Sequence, residues 1–526
     1  MKILLLTGKL AEPLVRAAVK TSPSDYDLRI SVLPVEVASL ATPQLIISYL
    51  RKTKLEDYDL IMVSGAIQGS MKPVENTIGV KVVKGPKHAV DIPMLLKMYD
   101  PTRLSPDVSA DALLIKEMRN YAEEILKKTE ISILSKPHIN VDGMLVPADP
   151  PPIRVISEIT EAHLLNEEEL IKTVQRRVEE GADIVGLGFQ PNVANPEEVK
   201  NLVRLIKREF DFPLMLDSII PSEIIAGVEA GADMIMSLEA GNIRKVADKI
   251  KEIPAVVIPY DSRRNFFARN FKDKLKLLKM NVRRAFKNNI KNLIADPVLE
   301  PINLSGSSGT FQSLRAYYMF KREYREMPML MGLCNVAELI DADSIGINAL
   351  LTMLAAEIGV ALVLIVEKSI KTAGSTAETK IAAQMATIAR ERKTSPKDLG
   401  LHLLMFKDKR LVETKLNLND AVIIEADEES KEYPQDPVGF FTLKVNHEDK
   451  RIEVLYSGKK GKILIRGRTA SSIYHEILRR GLLSMLSHAL YLGVELGKAE
   501  EALRTGKNYV QEESLFEQTK PIDIFK

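Results

Sequence analysis

At 526 residues, with 45% hydrophobic and 27% charged side chains, the chain is long enough for two to four soluble globular domains. Its net charge of +2 gives no overall attraction to nucleic acid or membrane, and its single cysteine, Cys334, excludes an intramolecular disulfide and a cysteine-based zinc cluster. Without an uncharged apolar stretch of about 18 residues, the sequence predicts no membrane span, and we expect a cytoplasmic protein.

Residues 1–150 alternate strand-like and helix-like patterns. Short apolar runs at Lys2–Leu6 and Leu60–Val63 suit buried strands, and helical spacing is present at Leu14–Val19 and Pro43–Leu50. Strands that alternate with helices predict a parallel sheet with both faces covered, as in a Rossmann- or flavodoxin-like domain. The segment ends at Pro150–Pro152, because consecutive prolines continue neither a helix nor a central strand.

Residues 151–371 contain eight strand-like runs, most of them separated by a helical pattern. The runs are Arg154–Glu158, Asp183–Leu187, Pro213–Asp217, Asp233–Leu238, Ala255–Pro259, Asn292–Asp296, Met329–Leu333 and Ala361–Val366. Eight such units in this length predict a central (β/α)₈ TIM barrel in an α/β protein. A doubly wound open sheet is the structural alternative.

Residues 372–526 follow a different pattern, which predicts a small C-terminal α/β domain. The predicted elements are a helix at Ala377–Arg392, a strand at Leu401–Phe406, an acidic linker at Asp427–Gln435, a β-meander of Phe440–Val445, Ile452–Tyr456 and Lys462–Ile465, and one or two helices in Ile473–Leu503.

Polar residues follow the strands of the predicted barrel at the ends where such barrels carry catalytic groups. They are Glu158, Asp217, Ser218, Ser237, Asp261, Asp296 and Asn335. For any one of them a solvated loop residue or a helix cap is the competing interpretation. Their recurrence around the ring indicates one shared site.

Four segments in strand order carry a family resemblance. They are Val155-Ile-Ser-Glu-Ile159, Pro213-Leu-Met-Leu-Asp-Ser218, Leu293-Ile-Ala-Asp-Pro297 and Gly332-Leu-Cys-Asn-Val336. Over about 215 residues the region resembles the pterin-binding barrels of archaeal dihydropteroate synthase-related proteins. At these motifs, and at Ile347–Gly359, it is most similar to the methyltetrahydrofolate methyltransferases.

The resemblance implies a reduced pterin as ligand, with tetrahydromethanopterin as the form expected in an archaeon. Asp217 and Asp296 would accept the N–H groups of the pterin edge, with Ser218 and Ser237 beside them. Asn335 would lie near the pterin N5 atom and assist its protonation. Asn335 and Glu158 are therefore the predicted catalytic residues.

The chain departs from the dihydropteroate synthase pattern at three strands. Gly186 stands where that family has an Asp, Met236 where it has an Asn, and Leu333-Cys334-Asn335 where it has Ser-Arg-Lys. Glu158 would repel a diphosphate unless Mg²⁺ intervened. These departures favour binding of a reduced, methylated pterin.

Three hypotheses follow from the resemblance. The first is methyl transfer from N5, to a corrinoid held by a partner protein. The second is condensation of hydroxymethyl-dihydropterin diphosphate with an arylamine, the only reading that requires Mg²⁺. The third is a non-catalytic pterin-binding protein. We also expect a homo-oligomer.

Two segments could hold the rest of a ligand. The loop residues Ser305, Gly306, Ser307 and Ser308 could offer backbone N–H groups to a phosphate or ligand tail, or form a flexible connector. Residues 263–291 contain eleven Lys or Arg and one acid, Asp273. That stretch fits either a solvated barrel helix or a surface attracting an acidic tail or partner.

In the C-terminal region, Asp436–Phe441, Ser487–Glu500 and Asn508–Gln511 resemble a small module of archaeal one-carbon proteins. His488 in this module is either a ligand-binding residue or a histidine packed within a helix.

Overall fold

The computed structural model describes residues 1–55, 57–191, 193–304, 309–407, 422–424 and 435–516. These residues form two compact units. The first gathers residues 1–366 and 374–404, and the second gathers residues 367–373 with those from 405 onward. The first unit holds an N-terminal α/β domain and the barrel, and the second holds the C-terminal domain.

The N-terminal domain is a four-stranded parallel sheet in the order β2-β1-β3-β4, which has the predicted alternation of strands and helices. Its elements are β1 Lys2–Thr7, α1 Glu12–Thr21, β2 Asp27–Val32, α2 Pro43–Leu50, β3 Leu60–Val63, α3 Lys72–Ile78, β4 Lys81–Lys84, α4 Ile92–Met98 and α5 Asp111–Ser132. The strands are almost fully apolar where they are buried on both faces, as in β3. A hairpin of β5 His138–Val141 and β6 Met144–Pro147 follows.

The predicted (β/α)₈ barrel is confirmed. Its strands are β7 Arg154–Ile159, β8 Ile184–Gly188, β9 Leu214–Asp217, β10 Met234–Leu238, β11 Ala255–Val257, β14 Leu293–Ala295, β15 Leu330–Gly332 and β16 Leu362–Val366. Neighbours pair in parallel in the order β14-β11-β10-β9-β8-β7-β16-β15. An isolated parallel bridge between Ala295 and Met329 joins the two end strands and closes the ring.

Helices cover the outside of this ring, and a short hairpin, β12 Tyr260–Asp261 with β13 Phe266–Phe267, follows β11. The helices are α6 Glu167–Glu179, α7 Pro196–Glu209, α8 Pro221–Ala230, α9 Ile243–Val246, α10 Phe271–Lys287, α11 Gly309–Glu323, α12 Cys334–Ala337, α13 Ser344–Ile358 and α14 Ser375–Arg392. The predicted domain boundary at Lys371 precedes α14, yet α14 packs on β7, where Thr376 Oγ1 and Ser157 Oγ are 2.9 Å apart. Helix α14 covers the outside of the barrel at β7 and β16, so it belongs to the barrel and not to the C-terminal domain.

The interior of the barrel explains why a site forms at only one end. Inward-facing side chains such as Ile156, Ile184 and Met215 form an apolar cluster with Val141 and Val146 of the β5–β6 hairpin. The hairpin therefore fills the N-terminal end of the barrel. The polar inward positions lie at the opposite end, where the strands finish.

The C-terminal unit is an antiparallel meander covered by two helices, as predicted. Its elements are β17 Gly439–Asn446, β18 Arg451–Gly458, β19 Gly461–Gly467, α15 Ala470–Arg479 and α16 Leu486–Thr505. His488 packs between the rings of Phe441 and Tyr491, and its Nδ1 lies 3.2 Å from Asp436 Oδ2. These contacts are those expected of a histidine packed within a helix.

One predicted element is wrong. Residues 401–406 form no strand, and Leu404, Met405 and Phe406 are each nearly half exposed. An apolar run becomes a strand only when a neighbouring strand pairs with it. Most of the predicted acidic linker, residues 427–434, lies outside the described residues. Within the part of the chain that is described, no helix has the length and apolar character needed to cross a membrane.

Candidate functional site

Three carboxyl groups point into the C-terminal end of the barrel. Glu158 lies near the end of β7, Asp217 ends β9, and Asp296 directly follows β14. Side chains alternate along a strand, so Glu158 faces inward like Ile156, and Asp217 faces inward like Met215. The structure therefore brings together three predicted residues from three different strands.

Glu158 lies against bare backbone on the neighbouring strand. Gly186 and Gly188 are the inward-facing positions of β8, and a Cβ added at Gly188 would collide with Glu158 Oε1. Gly188 is paired in register with Asp217, so the Glu158 carboxyl group is directed toward that side chain. At Gly186, which departs from the family pattern, an added Cβ would lie 2.7 Å from Met215 Cε and 3.3 Å from Glu158 Cβ, so these two side chains fill the space that a larger residue would need.

The Glu158 carboxyl group is only 8% exposed, and no described residue forms a hydrogen bond with it. Burial, and then the nearby charge of Asp217, raise the pKa of Glu158 to about 8. Burial and the neighbouring carboxyl group therefore favour the protonated form of this side chain. A buried carboxylic acid of this kind can donate a hydrogen bond or a proton to a ligand.

Asp217 is held by the end of the next strand. Ser237 Oγ donates a 2.7 Å hydrogen bond to Asp217 Oδ1, which leaves Oδ2 without a partner among the described residues. Ser237 has a positive φ of 69°, a backbone conformation that residues other than glycine adopt rarely. Asn242 Nδ2 holds this turn by donating to the carbonyl of Ser237 at 3.0 Å and that of Ile219 at 3.2 Å. Desolvation raises the pKa of Asp217.

Asp296 presents one oxygen to the protein and one to the mouth. Its Oδ1 accepts hydrogen bonds from the Tyr317 hydroxyl and, at 2.7 Å, from the backbone N–H of Val298. No described residue donates to Oδ2. Burial raises the pKa of Asp296 to about 6, although both hydrogen bonds oppose the shift. Asp296 is therefore fixed in orientation through Oδ1, while Oδ2 has no donor among the described residues.

The loop after Asp296 has a strained backbone and is held by a buried lysine. Val298 has a φ of 65°, an outlier for a β-branched residue. The Lys274 ammonium group, which is fully buried, donates to the carbonyls of Pro297 at 3.3 Å and Val298 at 3.1 Å. Its charge is balanced by Glu300, whose Oε1 lies 3.3 Å from Nζ.

Asn335, predicted to lie near N5, also holds this loop. Its Nδ2 donates a 2.8 Å hydrogen bond to the carbonyl of Leu299. Its amide oxygen faces the thiol of Cys334, with 3.8 Å between Oδ1 and Sγ. Burial raises the pKa of Cys334, so the thiol stays protonated. The Asn335 amide in this conformation therefore fixes the loop beside Asp296.

Three other predicted positions lie elsewhere or are not described. Ser218 Oγ donates to Glu223 Oε2 at 2.5 Å and accepts from the N–H of Ile220, so it fixes the start of α8. Asp261 pairs with Arg263 through two hydrogen bonds of 2.8 Å. The loop Ser305–Ser308 lies outside the described residues. At the following helix start, a Cβ added at Gly309 would lie 3.0 Å from Glu300 Oε2, so a carboxylate already faces this end of α11.

Sequence reasoning missed the residues that orient the carboxyl groups, namely Tyr317, Lys274, Asn242 and Glu300. Tyr317 and Lys274 lie on helices, where the sequence pattern indicates only which face is buried. Asn242 and Glu300 lie in loops, which have no such pattern. A fully buried lysine has the same sequence pattern as an exposed one next to apolar neighbours. Only the spacing of Lys274 from Leu275 and Leu278 on the apolar stripe of α10 gave a signal.

These features define a class of protein. The barrel region, residues 157–366, matches the family described as pterin binding enzyme. Residues 435–512 match the family PterinBD-DUF4346, and residues 1–87 match a family of unknown function, DUF6513. The whole chain belongs to the family of the uncharacterised protein MJ0107 of Methanocaldococcus jannaschii. The two are 37% identical over 529 residues, covering 98% of this chain and 99% of that protein.

Solved structures similar to this chain include two bacterial dihydropteroate synthases. The enzyme of Xanthomonas albilineans, in complex with indole-2-carboxylic acid and 6-chloroguanine, is 21% identical, and the match covers 47% of this chain and 95% of that chain with a TM-score of 0.38. The enzyme of Yersinia pestis is 18% identical, with 48% and 99% covered and a TM-score of 0.39. Both matches span about half of this chain.

Proposed function

We propose that the barrel binds a reduced pterin and catalyses transfer of a methyl group from the pterin N5 atom. The observation that supports this most is the Glu158 carboxyl group. It is buried beside Asp217 without a hydrogen-bond partner among the described residues, and its burial favours the protonated form. A protonated acid in the mouth of the barrel supplies what N5 needs during methyl departure.

The two aspartates suit the other edge of the ligand. The 2-amino-4-oxo edge of a pterin presents neighbouring N–H donors, and a carboxylate oxygen accepts such donors strongly. Asp296 Oδ2 and Asp217 Oδ2 have no donor among the described residues, while their Oδ1 atoms are already held. Each aspartate therefore offers one pre-oriented oxygen, which lowers the cost of ordering the site on binding.

In the proposed step the N5–CH₃ bond breaks and its electron pair stays on N5. N5 takes the proton of Glu158, which becomes a carboxylate, and the methyl group passes to a strong nucleophile. We propose that this nucleophile is the reduced corrinoid of a partner protein. The relative MJ0107, which matches 98% of this chain, is from the archaeon Methanocaldococcus jannaschii. We therefore favour tetrahydromethanopterin as the pterin.

The same charges argue against condensation as the main reaction. A leaving diphosphate would form beside the carboxylates of Asp217 and Asp296, and like charges at short range in a dry site repel strongly. A bound Mg²⁺ would have to offset that repulsion. In the proposed methyl transfer the electron pair left on N5 takes the proton of Glu158, so no anionic leaving group is released into the mouth.

Two measurements test the proposal. Calorimetric titration should show 5-methyl-tetrahydromethanopterin or 5-methyltetrahydrofolate binding without Mg²⁺. With free cob(I)alamin as the acceptor, methylcobalamin should then form, as followed by its absorption spectrum. Release of diphosphate from hydroxymethyl-dihydropterin diphosphate and an arylamine, with no methyl transfer, would overturn the proposal in favour of condensation.

The variant Glu158→Gln separates proton donation from binding. The amide can still donate a hydrogen bond but supplies no proton, so methyl transfer should slow by about 10²- to 10⁴-fold. Pterin affinity should stay within about threefold of the parent value. Equal rates in the parent and the variant would remove Glu158 from the chemistry.

A further inference from the structure

A patch of exposed aromatic and basic side chains borders one side of the barrel mouth. It comprises Arg264, Phe266, Phe267, Arg269, Phe311 and Arg315, which we call the mouth-side basic surface. All six are exposed, and Phe266 and Phe311 reach 46% and 60% exposure. They lie on the β12–β13 hairpin, the segment before α10 and the first turns of α11, which stand at the same end of the barrel as the site.

The charge of this surface is not neutralised locally. Residues 261–276 carry six Lys or Arg and two Asp. Asp261 is paired with Arg263, and Lys274 is paired with Glu300. Across the described residues, neither Arg264 nor Arg269 has a carboxylate within 4.0 Å. The surface therefore has two arginines available for an anion.

Aromatic rings orient the third arginine. The Arg315 guanidinium lies 3.9 Å from the centroid of the Phe271 ring and 5.8 Å from that of Phe311. Gln312 Oε1 accepts a 3.2 Å hydrogen bond from the N–H of Phe271, which ties the starts of α10 and α11 together. A guanidinium held flat against a ring still has its edge free for hydrogen bonds.

The surface is connected directly to the site. The Lys274 ammonium group lies 5.1 Å from the centroid of the Phe267 ring and 3.1 Å from the carbonyl of Val298, two residues after Asp296. Phe267 therefore lies beside the loop that carries Asp296, at the rim of the mouth toward which the substituent of a bound pterin would extend. Exposed rings beside unpaired cations suit a tail that carries an aromatic ring and anionic groups.

We propose that the mouth-side basic surface binds the tail of the pterin substrate, and that this tail is anionic, with phosphate or carboxylate groups. The inference rests on the proposed pterin function. It adds which surface of the protein would hold the tail of that pterin. Anion contacts at an exposed rim contribute modestly each and weaken with salt.

The test compares ligands with and without a tail. Calorimetry at low ionic strength should give tighter binding of 5-methyltetrahydrofolate and its pentaglutamate than of tail-less 5,6-dimethyl-tetrahydropterin. In the triple variant Arg264→Ala/Arg269→Ala/Arg315→Ala, affinity for the tailed ligands should fall about tenfold or more, and affinity for the tail-less ligand should stay within about twofold. Competition by inorganic phosphate or by triglutamate, at constant ionic strength, then tells which anion the surface prefers.

The matched control removes three cations from the far turns of the same two helices. Arg283→Ala/Lys287→Ala/Arg322→Ala makes the same change in net charge and should leave both affinities unaltered. Tail-less and tailed ligands that bind equally well to the parent would overturn the tail proposal and leave the pterin function standing. Binding of neither ligand would overturn the pterin function, and the tail proposal with it.

Discussion

Among single side chains, Asp296 gives the most direct test of pterin recognition. In Asp296→Asn the anchored oxygen can keep its bonds to Tyr317 and Val298, but the free oxygen becomes an NH₂ group. That group faces the pterin donors. Loss of a charge-assisted hydrogen bond costs roughly 1.5–3 kcal/mol, and opposed donors add to this cost. Pterin affinity should fall by about one to three orders of magnitude in calorimetry.

Asp261→Asn is the control for this change. Asp261 follows the neighbouring strand β11, but its two oxygens are bound by Arg263. Removing its charge should leave pterin affinity within about twofold. If Asp296→Asn bound pterin as tightly as the parent, Asp296 would have only the structural role of fixing its own loop.

Glu158 makes stability depend on pH in a defined window. Its pKa rises from 4.5 to about 8 because of burial and the charge of Asp217. Between these values the folded protein keeps a proton that the unfolded chain has lost, so the free energy of unfolding falls as pH rises. The contribution is fully present below about pH 4.5 and lost above about pH 8. Urea unfolding of Glu158→Gln from pH 5 to 8 should show a shallower fall, by up to about 1.4 kcal/mol per pH unit.

The same slope in parent and variant would mean that Glu158 titrates normally and is ionised at neutral pH.

Glu158, Asp217, Asp296 and Asn335 could be predicted from the sequence because the strand ends of one barrel share one mouth. Their protonation could not be predicted, since that depends on how completely neighbouring strands exclude water. The pKa of Glu158 is raised because its side chain lies inside the barrel, and it fits there because Gly186 and Gly188 have no side chains.

Among elements, the loop between β14 and α11 depends on the buried pair of Lys274 and Glu300. Lys274→Met would leave the Glu300 carboxylate buried and unpaired, and breaking such a pair costs about 3–5 kcal/mol. The carbonyls of Pro297 and Val298 would also lose their donor, so the strained turn at Val298 should relax. We expect lower stability in urea unfolding and at least tenfold weaker pterin binding.

The double variant Lys274→Met/Glu300→Gln distinguishes these two effects. With both charges removed, most of the stability should return, because no unpaired ion remains. Pterin affinity should stay low, because the loop carbonyls still lack the ammonium donor. A double variant that bound pterin like the parent would show that the loop keeps its shape without the clamp.

The elements themselves were largely readable from the sequence. Buried parallel strands are apolar throughout, so all eight barrel strands appeared as short apolar runs. The strands β2 and β4 of the N-terminal domain, and the hairpins β5–β6 and β12–β13, were not predicted. The run at Leu401–Phe406 had the composition of a strand but no partner strand. Pairing is a tertiary property, which a local pattern does not contain.

Across the whole molecule, a buried ion pair joins the N-terminal domain to the barrel. Arg392, the last residue of α14, donates to Asp91 Oδ1 at 2.8 Å and Oδ2 at 2.6 Å, and both side chains are at most 1% exposed. Asp91→Ala should therefore destabilise the protein by about 3–5 kcal/mol. In calorimetric melting we expect the N-terminal domain to unfold before the barrel, in a separate transition.

Arg390→Ala is the exposed counterpart on the same helix. Its partner Asp149 lies 3.2 Å away, and the two side chains are 44% and 60% exposed. An exposed pair contributes about 0–1 kcal/mol, so melting should barely change. A single unaltered transition in Asp91→Ala would show that the two domains hold together without this pair. No sequence pattern predicted it, because the partners are 301 residues apart.

The contact between Glu158 and Gly188 also constrains how this site can change over time. A side chain at position 188 collides with the Glu158 carboxyl group, while a shorter residue at position 158 opens a space beside Asp217. Any side chain at position 188 therefore requires the Glu158 carboxyl group, the far end of a flexible side chain, to turn away from this position. A lineage that gains a side chain at position 188 can keep the acid of the first strand, but that acid must then adopt another orientation relative to Asp217.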